Sequence, residues 1–339
     1  MLVVDETGDV KKGIHTAGVH RGPSRERPGR CLSTYATTTG HTLIDRALYL
    51  PEGCAADEEH RELAGIPGEV LFATKPQLAG ELLDRAHAAG IRAAFVAGDE
   101  VYGGRELRRR IRQLGLGYVL AVRANHTVTT GSGRTMTAAG AAGLIPARAW
   151  QRMRTGSGTK GTRHYDWAML QVTSDDTPGG HDAGRSVLLA RRHRYTGTLS
   201  YYRCWTPGPV PLSTLIAVAS ARWQIEEDHQ LSKQSTGLDA GQVIRWKSWH
   251  RWTAICLLAY LYLAVAVALQ RQHDAASGPD TGLIPVTIPE LLRLLRDTVI
   301  PPPRRDRPHR LHWSAWRRRH QHRARQSHQR WNAYAEMTP

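Results

Sequence analysis

Three acidic residues lie far apart in this chain, each in a context that suits one shared metal site. They are Asp5 in Leu-Val-Val-Asp-Glu-Thr-Gly, Asp99 in Ala-Phe-Val-Ala-Gly-Asp-Glu-Val-Tyr-Gly, and Glu226 in Arg-Trp-Gln-Ile-Glu-Glu. All-oxygen ligands of high negative charge suit Mg²⁺ or Mn²⁺. Two such ions, roughly 3.5 to 4 Å apart, can activate an attacking oxygen and stabilise a leaving one in phosphodiester chemistry. Taken singly, each acid has an ordinary explanation as a turn former or a helix cap. Arg222 and Glu226 likewise read as an exposed i,i+4 pair of small effect. The joint pattern carries the chemistry.

The elements that must position these acids follow from local patterning. Asp5 closes the strand-forming run Leu2 to Val4, and Asp99 follows a second short apolar run, Ala93 to Ala97, with Gly98 permitting a sharp turn. In an open α/β sheet, ligands collect just outside the carboxyl ends of the strands, so two acids at strand ends are well placed to meet. Glu226 belongs to a helix. No Pro or Gly occurs from Thr214 to Lys233, and Leu215, Val218, Ala219, Arg222, Glu226, His229 and Lys233 recur at helical spacing. Arg222 and Lys233 then lie on nearly the face of Glu226, ready to hold a phosphate backbone through a planar fork and a point charge. His229, one turn after Glu226, is expected as a helix-surface imidazole. Glu227 competes with Glu226 as the third acid.

With those residues in view, the chain resembles the insertion-sequence transposases that have an RNase H-like core and a DDE triad, in the branch with a Tyr-Arg-Glu-Lys signature on the last catalytic helix. The resemblance rests on Val3-Val4-Asp5-Glu6-Thr7-Gly8, Lys11-Lys12-Gly13, Gly98-Asp99-Glu100-Val101-Tyr102-Gly103, Arg222-Trp223 with Glu226-Glu227 and Lys233, and Gly237-Leu238-Asp239. It runs from about Leu2 to Gln270. It implies an α/β fold, an RNase H-like mixed sheet flanked by helices with a β-rich insertion before the last catalytic helix. It further implies that Asp5, Asp99 and Glu226 hold two Mg²⁺ (or Mn²⁺) ions, and that Arg222, Lys233, Lys11 and Lys12 contact DNA. The substrate would be double-stranded DNA, the element's terminal inverted repeats and its target, cut and rejoined by a homodimer in a synaptic complex.

Several features depart from that pattern. The signature Tyr falls at Ala219. Members of the family carry a helical DNA-binding region ahead of the first Asp, whereas only four residues precede Asp5 here, so Met1 is expected to be an internal start or the product of a truncated gene. Pro23 to Thr34, with Arg21, Arg25, Arg27 and Arg30 crowded among prolines, reads as loop where the core needs its second strand. These departures support an alternative function, an inactive remnant that only binds DNA. A structure-selective nuclease on the same core is a third reading.

Charge and breaks complete the picture. A chain of 339 residues with a formal charge of +16 and a pI near 10.2 favours a polyanionic partner. The densest basic block, Pro301 to Arg330, reads as a solvated tail or a DNA-contacting one, and its Trp313, Trp316 and Trp331 as base-stacking or anchoring groups. Trp246, Trp249 and Trp252 read as a helix end packed into the core, with DNA contact the alternative. Cys31, Cys54, Cys204 and Cys256 lack metal or disulfide spacing, and no signal peptide opens the chain, so a cytoplasmic, nucleoid-associated protein is expected. The apolar run Ala254 to Leu269 suits a buried helix behind the sheet better than a membrane span. Divisions are expected at residues 1–123 for the first part of the core, 124–210 for the insertion, 211–272 for the rest of the core and 273–339 for a linker and basic tail.

Overall fold

Asp5 stands on the third strand from one edge of a nine-stranded sheet, and the computed structural model shows how the chain is wound to put it there. The structure describes residues 1–8, 16–19, 29–158, 161–180, 184–276, 284–300 and 306–337. The strands are β1 (Leu2–Gly8), β2 (Gly29–Ala36), β3 (His41–Leu48), β4 (Phe95–Gly98), β5 (Gly117–Val122), β6 (Thr127–Thr129), β7 (Thr135–Thr137), β8 (Gln151–Gly158), β9 (Gly161–Gln171), β10 (Arg185–Arg192) and β11 (Leu199–Thr206). The helices are α1 (Glu52–Ala56), α2 (Glu58–Ala64), α3 (Lys75–Ala88), α4 (Arg105–Gln113), α5 (Ala138–Gly143), α6 (Leu212–Ala221), α7 (Trp223–Thr236), α8 (Trp246–Ala276), α9 (Ile288–Thr298) and α10 (Arg307–Met337). Residues 1–289 form one unit and residues 290–339 a second.

The sheet order is β3-β2-β1-β4-β5-β11-β10-β9-β8, with β6 and β7 forming a separate ribbon. β2 runs antiparallel to both β1 and β3, while β4 lies parallel to both β1 and β5. Three antiparallel strands followed by two parallel ones is the RNase H-like arrangement, so the α/β fold with a mixed sheet flanked by helices is as the resemblance implied. The β-rich stretch before α6 joins this sheet edge to edge, through antiparallel pairing of β11 with β5.

Strand alternation divides the work between the two faces. Leu2 and Val4 point into a core shared with Leu78, Leu82 and Leu83 of α3 and Leu107 and Ile111 of α4. Val3 and Asp5 point to the other face, which α6, α7 and α8 cover. α7 buries Ile225, Asp228, His229 and Ser232, a stripe at i, i+3, i+4 and i+7.

Four expectations need correction. The second strand is intact: Arg30 to Thr34, read as loop, lie in β2 and pair with β1 residue by residue. Arg30 concealed the strand because its guanidinium is buried and bonds the Leu238 carbonyl rather than facing water. The strand before Asp99 begins at Phe95 rather than Ala93. The helix expected from Thr214 to Lys233 is two helices meeting at Arg222, where the Ile225 amide bonds back to the Arg222 carbonyl in a tighter turn. His229 is buried, because it falls on the stripe that faces the sheet.

α8 is buried along one face only. Trp249, Thr253, Cys256, Leu257, Tyr260, Leu263 and Val267 pack inward, while Ile255, Leu258, Tyr262, Val265 and Leu269 are exposed. It is long and apolar enough to cross a membrane, yet its inward face rests on β3 and α7. Trp246 and Trp249 pack with Leu48, Leu50 and Ile66, as the core reading of these tryptophans had it. The Arg-rich block is helical from Arg307 onward. All four cysteines are buried and unbridged.

Candidate active site

Parallel pairing of β1 with β4 stops at Val4 and Gly98, so the residues that follow, Asp5 midway along β1 and Asp99 just past the end of β4, come side by side. β1 itself runs on to Gly8, beyond the Leu2 to Val4 run that Asp5 was expected to close. Gly98 fits here because little else would. A Cβ at this position would come within 3.1 Å of Leu120 and of Tyr102. The next turn is held by the Asp99 carboxylate, which accepts the Val101 amide at 2.8 Å. Gly103 lies against the Ala121 carbonyl, which a Cβ would meet at 2.5 Å.

Oxygens of Asp5, Glu6 and Asp99 lie within 4.8 Å of one another. Sequence reasoning left Glu6 out of the acid set, although it sat inside the quoted motif. Its two oxygens are engaged, Oε1 with the Lys75 ammonium at 2.6 Å and Oε2 with the Tyr102 hydroxyl at 2.7 Å. Tyr102 is fully buried and also meets Cys31 Sγ at 3.5 Å.

Glu226 stands apart from this cluster and is tied to it by one side chain. Arg222 donates from Nη1 to Asp5 Oδ2 at 3.2 Å and from Nη2 to Glu226 Oε1 at 2.6 Å. Glu226 is exposed, which leaves its other oxygen open to solvent. Glu227 turns the other way and approaches His41 Nε2 at 3.5 Å. Lys233 reaches the end of β1, donating to Thr7 Oγ1 at 2.8 Å and to the Gly8 carbonyl at 3.3 Å. Arg222 therefore touches two of the three acids and Lys233 the end of β1, whereas Lys11 and Lys12 lie outside the described residues.

Crowding of carboxylates sets the electrostatics. Burial pushes the Asp5 carboxyl up to about 7, with Asp99 and Glu6 adding to the rise and the Glu6 amide and Arg222 opposing it. Burial raises Asp99 as well, and neighbouring acids add to it. A cluster that resists its own ionisation is relieved by a cation, and an all-oxygen donor set suits Mg²⁺ or Mn²⁺. The residues present fit a divalent ion.

Beneath the site, Asp228 pins α7 to the sheet. It is fully buried and accepts from Thr34 Oγ1 at 2.8 Å and Tyr260 Oη at 2.6 Å, with His41 Nδ1 at 2.8 Å. Burial opposes charge on His41, but Asp228 and Glu227 outweigh it and push the imidazole up to about 9. His229, on the same helix without a carboxylate, is driven down to about 3 by burial and by Lys233 and Arg30. Sequence reasoning missed Asp228. Its only signal was an acid on the buried stripe of α7.

A family model described as DDE superfamily endonuclease matches residues 1–162. Over those residues the chain is similar to the DDE superfamily endonucleases. The match contains Asp5 and Asp99 and ends before Glu226. A probable transposase for the insertion sequence element IS701, from Microchaete diplosiphon, is 28% identical to this chain over 137 residues, which is 38% of this chain and 33% of that relative. The chain thus spans about a third of the curated relative it matches. Among solved structures, a piggyBac transposase in a synaptic complex with hairpin DNA aligns with 92% of this chain and 56% of its own, at 13% identity and a TM-score of 0.41.

Proposed function

We propose that this protein is a DNA transposase that cuts and rejoins double-stranded DNA, with Asp5, Asp99 and Glu226 as the ligands of two Mg²⁺ or Mn²⁺ ions. The observation that carries this reading is the meeting of Asp5 on β1 with Asp99 just past the end of β4, with Arg222 joining Glu226 to Asp5. Glu226 is preferred to Glu6 because both Glu6 oxygens are already engaged, and to Glu227 because that side chain faces His41.

Bound ions would supply Lewis-acid polarisation of the phosphate and of the attacking oxygen. The chain's own residues do the rest. Arg222 and Lys233 hold the DNA backbone beside the acids by charge-assisted hydrogen bonds. Lys75 and Tyr102 fix Glu6 and thereby the end of β1. Water attacks phosphorus first; its oxygen forms the new P–O bond as it gives up a proton, the bond to the 3′-oxygen breaks, and that oxygen takes up a proton to become a free 3′-hydroxyl. The 3′-hydroxyl then attacks a phosphorus of target DNA in the same sense. Lys11 and Lys12 are assigned to the DNA surface, and two copies of the chain to the pairing of element ends.

The test is cleavage of supercoiled DNA by the full chain in Mg²⁺ or Mn²⁺, beside Asp99→Ala and Glu226→Ala. Cutting by the parent and by neither variant, with DNA binding kept in all three, is the expected result. Binding without cutting in all three would show the DNA-binding remnant instead. One ground for the remnant has already gone, since β2 is a complete strand.

A further inference from the structure

α10 is the most strongly charged element in the chain. Between Arg307 and Arg330 it carries eight arginines and no acid. Among the described residues none of those arginines makes an ion pair. Like charges one turn apart, as at Arg319 and Arg323, destabilise an isolated helix. A polyanion would remove that cost.

The arginines are not scattered evenly. At about 100° per residue, Arg307, Arg310, Arg317, Arg318 and Arg325 fall in one row, and Arg319, Arg323 and Arg330 in another roughly opposite. Midway between the rows, about 80° from each, runs a narrow face of Leu311, Ala315, His322, Gln326 and Gln329. On the far side His309, Trp313, Trp316 and His320 stack on one another, with ring centroids 6.1, 5.3 and 5.2 Å apart in succession.

We infer that α10 is a DNA-reading helix that lies in the major groove of a duplex, with its two arginine rows on the two phosphate walls. The major groove is about 12 Å wide and admits one helix of about 10–12 Å. Its walls are phosphates on both sides, which two opposed cationic rows match and a single basic stripe does not. The face between the rows meets the groove floor. It offers Gln326 and Gln329, whose amides can pair with base edges. The aromatic stack lies on the helix's outer side, where it stiffens the helix without touching the bases. This surface shares no residue with the acid site and needs none of its chemistry.

The test is fluorescence anisotropy of the full chain on a labelled mixed-sequence duplex and on the same-length single strand, in EDTA, over a salt series. The arginine variants are Arg317→Gln with Arg318→Gln for one row, and Arg319→Gln with Arg323→Gln for the other. Each pair is expected to lower the slope of log affinity against log salt by about 1.8, from about 0.9 per lost phosphate contact. Affinity at physiological salt should fall about tenfold or more. The matching Arg→Lys pairs are expected to keep the slope, and circular dichroism checks that all variants keep their helix. Trp313→Ala with Trp316→Ala should leave duplex affinity within about twofold. Unchanged slopes in both arginine pairs would overturn the inference. So would tighter binding to the single strand that the Trp variant abolishes, because the aromatic stack would then be a base-stacking platform. Asp99→Ala should bind like the parent whether or not the acid site cuts DNA, so the two proposals fail separately.

Discussion

Arg222 and Asp5 are 217 residues apart in sequence and 3.2 Å apart in the fold, and the same guanidinium holds Glu226. A cation therefore occupies the space between two proposed metal ligands. Arg222→Gln should have opposite effects on two measurements. Mn²⁺ affinity, read by titration calorimetry, should rise roughly two- to fivefold, the factor that about 0.5–1 kcal/mol of removed repulsion gives. DNA cleavage should fall, because the phosphate loses its fork. A drop in both would mean that Arg222 orders the acids rather than competing with the ion.

His41 gives the fold a pH dependence whose sign is fixed. Its folded value of about 9 lies above the usual 6.5, so the stabilisation is fully present below about pH 6.5 and is lost as pH rises through 9. The shift corresponds to roughly 3 kcal/mol at about 1.4 kcal/mol per unit. Urea midpoints measured from pH 6 to pH 10 should decline for the parent. A His41→Gln variant should start lower and keep only the decline near pH 7 that ionisation of Asp5 gives, staying nearly flat from pH 8 to pH 10.

Asp228 is the other half of that contact. Asp228→Ala leaves the Thr34 hydroxyl, the Tyr260 hydroxyl and a charged His41 without their acceptor, and should cost about 3–5 kcal/mol. Thermal unfolding measures it. Near-parental stability would show that water replaces the carboxylate, and that α7 is held by its apolar stripe alone.

Gly103 tests the turn that aims Asp99. Gly103→Ala would set a methyl 2.5 Å from the Ala121 carbonyl and 2.9 Å from Val122 Cγ1, so β5 must give way. A loss of about 1–3 kcal/mol is expected. Metal binding should weaken with it, whereas Gly104→Ala, which meets nothing within 4 Å, should change neither.

A second charged cluster fastens the β9–β10 connection to α4. Asp175 takes both Nη atoms of Arg108, at 2.6 and 2.8 Å, and Arg203 at 2.7 Å. Burial alone would raise its carboxyl, but Arg108 and Arg203 hold it well below the usual carboxylate range. This contribution is present above about pH 4 and is lost as pH falls further. Asp175→Asn should lower stability at neutral pH and flatten the acid limb of the unfolding curve, followed by far-ultraviolet circular dichroism.

Much of the candidate site was legible because its parts are local. Asp5 and Asp99 follow apolar runs that can only be buried strands, and Glu226 keeps helical spacing with Arg222. What the sequence hid was set by partners distant along the chain. Arg30 reads as solvent-facing until the Leu238 carbonyl arrives to accept its guanidinium, which is why β2 looked like loop. His229 and Asp228 are polar letters on a helix, and only docking of α7 on β1 and β2 shows them buried. Glu6 was overlooked because adjacent strand residues face opposite sides, so a neighbour of Asp5 is not expected at the same site.

The Asp5–Arg222 contact also has a consequence in time. A chain emerging from the ribosome at about 5–20 residues per second exposes Asp5 roughly ten to forty seconds before Arg222 exists. Through that interval Asp5, and Asp99 once it has been made, have neither the Arg222 guanidinium nor Glu226 beside them. The proposed site therefore waits for α7, and a nascent chain halted before that helix carries every strand of the sheet with the acids still unaccompanied.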